Sequence, residues 1–297
     1  MGQTDIMTAP HPLDHLVLPT ARLDTARARL SALGFTVAPK GVHPFGTENR
    51  CVYLADGTFM EPLAVGDAAA ADAAERAGNV FVARDRLYRQ RLGEEGFSAV
   101  VFGTDDADAD HERYVQAGIS AGDRLDFSRP FVDAAGRSDV ASFRLAFASG
   151  RDTPDAFVFA CQRVNAPKVD RAALQAHGNG ATAIAEVVAV AGDPAAQLAL
   201  LATAAGLPSG AATMDGLVLP NARLTVLEPA DFEARFGIAA GPPSALRFAA
   251  VVFRVAALQA VAGLLARNGV EHHLRGESLI APAAPGQGAP FVYEEKA

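Results

Sequence analysis

The chain has no tryptophan, two cysteines and 7% aromatic residues in 297 positions. Two cysteines cannot make a disulfide framework, and Cys51 and Cys161 both sit in apolar, strand-like runs. They read as small buried hydrophobes in a reducing cytoplasm. Basic residues are outnumbered 26 to 34, the net charge is -8, and no run of Lys and Arg stands out. This disfavours nucleic acid and anionic membrane surfaces as partners. Long apolar runs are also missing: the stretches at 182–191 and 248–266 are interrupted by Glu186, Arg254 and Gln259, short of the roughly 18 residues a spanning helix needs. The first residues carry Asp5 and lack a basic start before an apolar stretch, so they do not read as a secretory signal. The expectation is a soluble, cytoplasmic protein whose partner is a small molecule. At 50% hydrophobic and 20% charged, the chain has enough core for about two domains at ~150 residues each.

An internal repeat organises that core. Gly34, Gly118, Gly206 and Gly269 each follow a helical stripe and precede an apolar residue, Phe35, Ile119, Leu207 and Val270. That is the pattern of a helix ending in a left-handed glycine with its last turn covered. The stripes are clearest at Leu23, Ala26, Leu30 and Leu33, at Leu198, Leu201 and Ala205, and at Leu258, Val261 and Leu265. A strand-like run precedes each helix, at 13–18, 97–103, 183–191 and 246–255, and two or three further strand candidates follow. Each unit therefore reads βαβββ, in an α+β chain of four such modules. A sheet covered by helices on one face leaves its other, curved face to form a cleft. Aligning LDHLVL with IAEVVA sets His15 on Glu186, and aligning TFMEPLA with TVLEPAD sets Glu61 on Glu228. The expected division is 11–166 and 180–297, across a polar, turn-prone stretch.

Paired βαβββ units with an ionisable residue on the first strand and a glutamate on the last resemble the vicinal oxygen chelate superfamily of glyoxalases, extradiol dioxygenases and fosfomycin- and bleomycin-resistance proteins. More narrowly, residues 13–65, with the string His43-Pro44-Phe45-Gly46-Thr47-Glu48-Asn49-Arg50, resemble the opening of the glyoxalase-like domain family. The resemblance implies two tandem glyoxalase-like domains with curved mixed sheets. It also implies metal ligands drawn from the first and fourth strands of two adjoining units. Here those are His15 and Glu61, with second-unit counterparts at Ala99, which cannot ligate, and Gln162. A divalent Fe, Mn, Zn, Ni or Co held there would stabilise an enolate or alkoxide, serving a lyase, isomerase or dioxygenase. The alternatives are a hydrogen-bonded His15/Glu61 pair without metal and a sequestering protein that binds drugs in the same groove. The scarcity of aromatic residues weighs against capture by stacking.

Other polar residues divide between site and scaffold. His43 to Arg50 reads as a loop of ligand-orienting side chains, with Arg50 placed to clamp a carboxylate or phosphate, or else paired with a nearby acid. Asp105, Asp106, Asp108 and Asp110 fail the calcium-loop pattern, because His111 and Ala117 occupy the required Gly and Glu positions; they read as a helix N-terminus. His272 and His273 alternate on a strand and cannot both ligate one ion. His177 with Asn179-Gly180 reads as a structural turn. Glu186 and Glu228 would make a second, degenerate cleft. His15, His43, Asn49, Arg50, Glu61 and Gln162 are expected to line one pocket in the first domain, in a monomer or a homodimer.

Overall fold

The structure, a computed structural model, describes residues 10–132, 138–150, 153, 155–167, 169–208, 210–213, 216–241 and 244–295. The reading of the first nine residues lies outside these. The first unit comprises β1 (Leu13–Pro19), α1 (Leu23–Ala32), β2 (Gly41–Val42), β3 (Thr47–Asn49), β4 (Val52–Tyr53) and β5 (Phe59–Val65). Two helices the pattern did not announce follow, α2 (Ala68–Arg76) and α3 (Val80–Leu92). Their starts are chemically marked: Asp67 accepts from Ala70 N–H and Asn79 from Val82 N–H, as N-cap side chains do. The second unit is β6 (Ala99–Thr104), α4 (Ala107–Gln116), β7 (Leu125–Val132), β8 (Ser138–Ala148) and β9 (Phe157–Asn165). Asp106 caps α4 through Asp108 and Ala109 N–H, which accounts for the acidic run.

The third unit is shorter, with β10 (Ala183–Val190), α5 (Pro194–Ala204), β11 (Leu217–Val218) and β12 (Arg223–Leu227) followed by α6 (Pro229–Phe236). The fourth is complete, with β13 (Arg247–Val255), α7 (Leu258–Arg267), β14 (His273–Arg275), β15 (Ser278–Ala281) and β16 (Phe291–Glu295). Gly34, Gly118, Gly206 and Gly269 all stand at helix ends with φ between 66° and 87°, as the repeat required. Among the described residues no helix is long and apolar enough to cross a membrane.

Two curved mixed sheets result. The first runs β2-β3-β5-β1-β6-β9-β8-β7, with β4 paired to β5, and the second β11-β12-β10-β13-β16-β15-β14. In each, the opening strands of two units pair antiparallel at the centre (β1 with β6, β10 with β13), and each is flanked by the closing strand of its own unit in parallel. The helix-side faces of both sheets merge into one buried cluster that includes Leu30 of α1 and its C-cap Leu33, Tyr114 of α4, Leu201 of α5 and Leu265 of α7. The other faces keep separate clusters, one containing Val17, Phe81 and Phe159, the other Val188, Phe232 and Phe236.

The second concave face is filled by its own chain. Phe232 and Phe236 of α6 are 1% and 0% exposed against it, and Arg235 of the same helix binds Glu186 bidentately at 2.8 and 2.7 Å. Glu228 does not face Glu186. Glu186 is in register with Arg223 as His15 is with Phe59, so the residue matching Glu61, two further on, is Thr225. Glu228 lies beyond the strand at the N-cap of α6, because the sequence alignment slid by three residues where the third unit is shorter. Since the helix-side core is common to both sheets, unfolding should be a single transition. Phe236→Ala should lower stability by about 3–4 kcal/mol without splitting that transition, as followed by urea denaturation with two probes; two separated transitions would refute a shared core.

Candidate active site in the first sheet

Strand alternation decides what reaches the cleft. Along β1, Leu16 and Leu18 join the helix-side core while His15 and Val17 face the other way, because successive side chains of a strand point to opposite faces. Glu61, on β5, faces the cleft beside His15: Nε2 of His15 stands 3.4 Å from Oε2 of Glu61. The ring of His15 stacks on Phe59 at 4.3 Å between centroids and meets Phe159 edge-on at 5.6 Å. Its Nδ1 lies 3.1 Å from Oδ2 of Asp14, and Arg163 donates to the other oxygen of that carboxylate.

The segment His43 to Arg50 is a hairpin rather than an open loop. His43 N–H donates to Thr47 O at 2.9 Å across a turn at Pro44 to Gly46, and Thr47–Asn49 pairs with β5 as β3. Gly46 has φ +86°, and a Cβ there would stand 2.4 Å from Asp67 O; only glycine fits under the start of α2. This pins His43 in place. Its Nδ1 lies 2.8 Å from Thr47 Oγ1 and its Nε2 3.6 Å from Oε1 of Glu61. Asn49 donates to the same Oε1 at 2.5 Å. One carboxylate is therefore bonded by Asn49 and approached by His15 and His43, all of them buried.

Four of the expected residues, His15, His43, Asn49 and Glu61, thus line one pocket, and two do not. Arg50, one position past Asn49, turns to the helix side, where Nη2 lies 3.6 Å from Asp24 of α1. Gln162 also turns away: its Oε1 accepts from Ala107 N–H at 3.3 Å and its Nε2 donates to Asp105 O at 2.6 Å. A one-residue slip in register exchanges the faces of a strand, and on β9 it is Cys161 and Arg163 that face in. Sequence reasoning missed Asp14, Arg129, Arg163 and Arg171 of the lining. The Asp14-His15 doublet and the alternation Cys161, Arg163 were the available signals; nothing local marks Arg129 or Arg171. It also misjudged the aromatic residues, since seven of the chain's 21 Phe and Tyr rings line this one pocket.

Burial and partners set the charges. Burial raises the Glu61 carboxyl, but the bond to His15, the neighbouring His43 and the Asn49 amide outweigh it and bring it to about 2. Burial lowers His15, yet bonds to Asp14 and Glu61 hold it above the ordinary histidine value. His43 lacks such compensation, and burial takes it down to about 4. At neutral pH Glu61 is ionised and His43 neutral, while His15 holds its proton to a higher pH than an ordinary imidazole. Cys51 and Cys161 line the pocket as thiols, Cys51 pushed up to about 12 and Cys161 higher still, both chiefly by burial. His177 bridges Thr36 N–H and Tyr53 O at 3.0 and 2.9 Å, while His272 and His273 bond to the backbone oxygens of Val270 and Phe236.

The donor set does not suit a divalent ion as it stands. Among the described residues no three His, Cys, Asp or Glu side chains are grouped to hold a metal. The expected third ligand, Gln162, is on the wrong face, and the positions facing the cleft on β9 are Phe159, Cys161 and Arg163.

The glyoxalase-like domain model matches residues 13–205. The chain belongs to the glyoxalase-like domain family. Its fold is that of the two-domain vicinal oxygen chelate proteins. A hypothetical protein from Staphylococcus aureus superposes with a TM-score of 0.62 at 14% identity, covering 96% of this chain and 99% of that one. A mutant of 4-hydroxymandelate synthase from Streptomyces coelicolor gives 0.61 at 16%, covering 97% and 93%. A catechol 2,3-dioxygenase gives 0.50 at 11%, covering 98% and 89%. At these identities the likeness is one of fold. No curated protein matches the sequence.

The titration order has a measurable consequence. Unfolded, His43 takes up a proton below its ordinary 6.5, whereas folded it does so only near 4. The unfolded state therefore binds more protons between these values, and stability falls as pH drops from 6.5 to 4. Glu61 acts in the same sense from 4.5 down toward 2. The stabilisation from His15, whose folded pKa is raised, is complete below 6.5 and is lost as pH rises through that folded value. Urea midpoints taken from pH 7 to 4 should fall less steeply for His43→Gln than for wild type; parallel curves would show that His43 is not held neutral.

Proposed function

We propose that the cleft of the first half, residues 11–166, with one wall from the stretch that leads to a second half at 180–297, is an acid–base active site. Its substrate would be a small oxygenated organic molecule, and its reaction of the isomerase or lyase kind. The observation that carries this reading is the face-to-face pair of His15 and Glu61. Two buried titratable groups 3.4 Å apart are driven in opposite directions by their surroundings, the arrangement that assigns an acid and a base in one pocket.

A substrate entering between the two would take the place of their mutual contact. Glu61, relieved of His15, regains basicity and removes a proton from a carbon next to a carbonyl. The electron pair of that C–H bond moves to the carbonyl oxygen, where the His15 N–H bonds the developing oxyanion. In a 2-hydroxy ketone, return of the proton to the former carbonyl carbon, with the hydroxyl proton passing to the oxyanion, completes an isomerisation; departure of a group with its bonding electron pair from the next carbon, as the carbonyl re-forms, completes an elimination. Asn49 keeps the carboxylate oriented, and His43, neutral and tied to Thr47, accepts from a substrate hydroxyl. The sequence expectation of a divalent ion is not used in this scheme.

The aromatic lining favours a second reading, retention of a flat molecule without turnover. Proton exchange separates the two. Wild-type protein in D2O with a 2-oxo acid, a 3-oxo acid and a 2-hydroxy ketone, followed by proton NMR, should wash out the C–H signal beside the carbonyl of at least one. The rate should persist in EDTA and fall about 100-fold or more in Glu61→Gln. No exchange with any of the three leaves the retention reading. Exchange abolished by EDTA and restored by Mn, Fe, Co, Ni or Zn would transfer the chemistry to a metal.

A further inference from the structure

Three guanidinium groups, those of Arg129, Arg163 and Arg171, line the pocket that holds His15 and Glu61. Arg163 is neutralised by Asp14. Among the described residues, Arg129 and Arg171 meet no carboxylate. Each instead lies against an aromatic ring: the Arg129 guanidinium carbon is 5.9 Å from the centroid of Phe143, and that of Arg171 is 4.6 Å from that of Tyr53. The Tyr53 phenol lies within the electrostatic reach of all three. Like charges gathered in an apolar, half-enclosed space repel one another, and an anion among them relieves that repulsion.

We infer that the mouth of this pocket is an anion subsite, in which Arg129 of β7 and Arg171 of the interdomain stretch hold the carboxylate or phosphate of an organic anion whose apolar body extends inward along Phe143, Phe59 and Tyr53 to Glu61. The inference rests on the reading of this pocket as the working site and adds the class of its substrate. A planar guanidinium presents paired N–H donors that match either anion.

Two features hold the arginines where the subsite needs them. Arg171 is exposed, but the stretch that carries it is strapped to β4. Gln175 Nε2 donates to Leu54 O at 2.9 Å, His177 bonds Tyr53 O at 2.9 Å, and Thr36 Oγ1 donates to Ala176 O at 2.6 Å. Arg129 reaches across Gly41, where a Cβ would stand 2.7 Å from its Nη1 and 2.5 Å from Asn49 Oδ1. The missing side chain therefore leaves the space in which Arg129 comes close to Asn49, the residue that bonds Glu61. A ligand gripped at the mouth is thus placed within reach of the base.

Isothermal titration calorimetry at low salt with phenylacetate, phenyl phosphate and the neutral phenylacetamide tests this directly. At least one anion should bind about tenfold or more tightly than the amide, and the preferred one separates a carboxylate from a phosphate subsite. Arg129→Gln and Arg171→Gln should each weaken the anion about tenfold with thermal stability retained, and added salt should weaken the wild type. Glu61→Gln should bind the anion at least as well, since it removes a like charge. Equal binding of the amide, failure of both anions, or indifference to both arginine substitutions overturns the subsite. Anion binding without proton exchange would leave the subsite and remove the acid–base reading; exchange without anion preference would do the reverse.

Discussion

An ionised carboxylate in a protein interior must be supplied with hydrogen bonds and opposite charge, or it takes up a proton. Glu61 is 5% exposed at the floor of a cleft walled by phenylalanine, and the surrounding residues are arranged to meet that demand. His15 is its nearest histidine partner, and the proton on His15 is favoured by Asp14, whose second oxygen is taken by Arg163. The result is a chain of polar contacts from the floor to the half-exposed Arg163. Asn49 and His43 come from a separate hairpin, so the carboxylate ties three strands together through side chains as well as through the sheet. Charge-assisted bonds of this kind gain strength in a low-dielectric setting, and an unpaired member would be costly.

The same topology takes the opposite course in the second sheet. Glu186 stands where His15 does, on the opening strand of its unit, and also needs a positive partner. It finds one in Arg235, which α6 brings in together with Phe232 and Phe236. Because β12 ends at Leu227 and Pro229 begins a helix, the strand that carries Glu61 in the first unit is cut short in the third. Its continuation folds over the concave face, and a cleft becomes core. One half holds a pocket on this face, and in the other a helix fills it.

What could be read from the sequence follows the same physical division. The four helix ends were legible because a left-handed glycine followed by an apolar residue is a local signal, and Gly34, Gly118, Gly206 and Gly269 all carry it. His15 and Glu61 were legible because each sits on a long strand with clear alternation. Arg50 and Gln162 were misplaced by one position each, and a period of two turns a one-residue error into the opposite face. Glu228 failed for a different reason, an alignment across units of unequal length. Helices α2 and α3 lie between the repeating units and carry no repeat signal; only their caps, Asp67 and Asn79, mark them locally. The arginines came together only through tertiary structure, from β7, β9 and a stretch beyond the first sheet.

The stretch at 169–180 packs on the first sheet although it leads into the second. His177 and Gln175 bond backbone oxygens of Tyr53 and Leu54, Asn179 Nδ2 bonds Leu33 O, and Arg171 covers the Tyr53 ring. The wall of the cleft on that side is therefore held by residues that must be anchored at their far end, and the anchor is β10 with α5, whose Leu201 is buried in the core shared by both sheets. The region matched by the glyoxalase-like model closes at 205, just past α5 and before the helix that plugs the second cleft. It thus contains every residue of the pocket together with the first elements needed to hold its connecting wall. The remainder of the second half completes a sheet and fills its own concave face. On this argument the pocket depends on the second half through its first strand and helix, by packing rather than by any side chain that the second sheet contributes to the site.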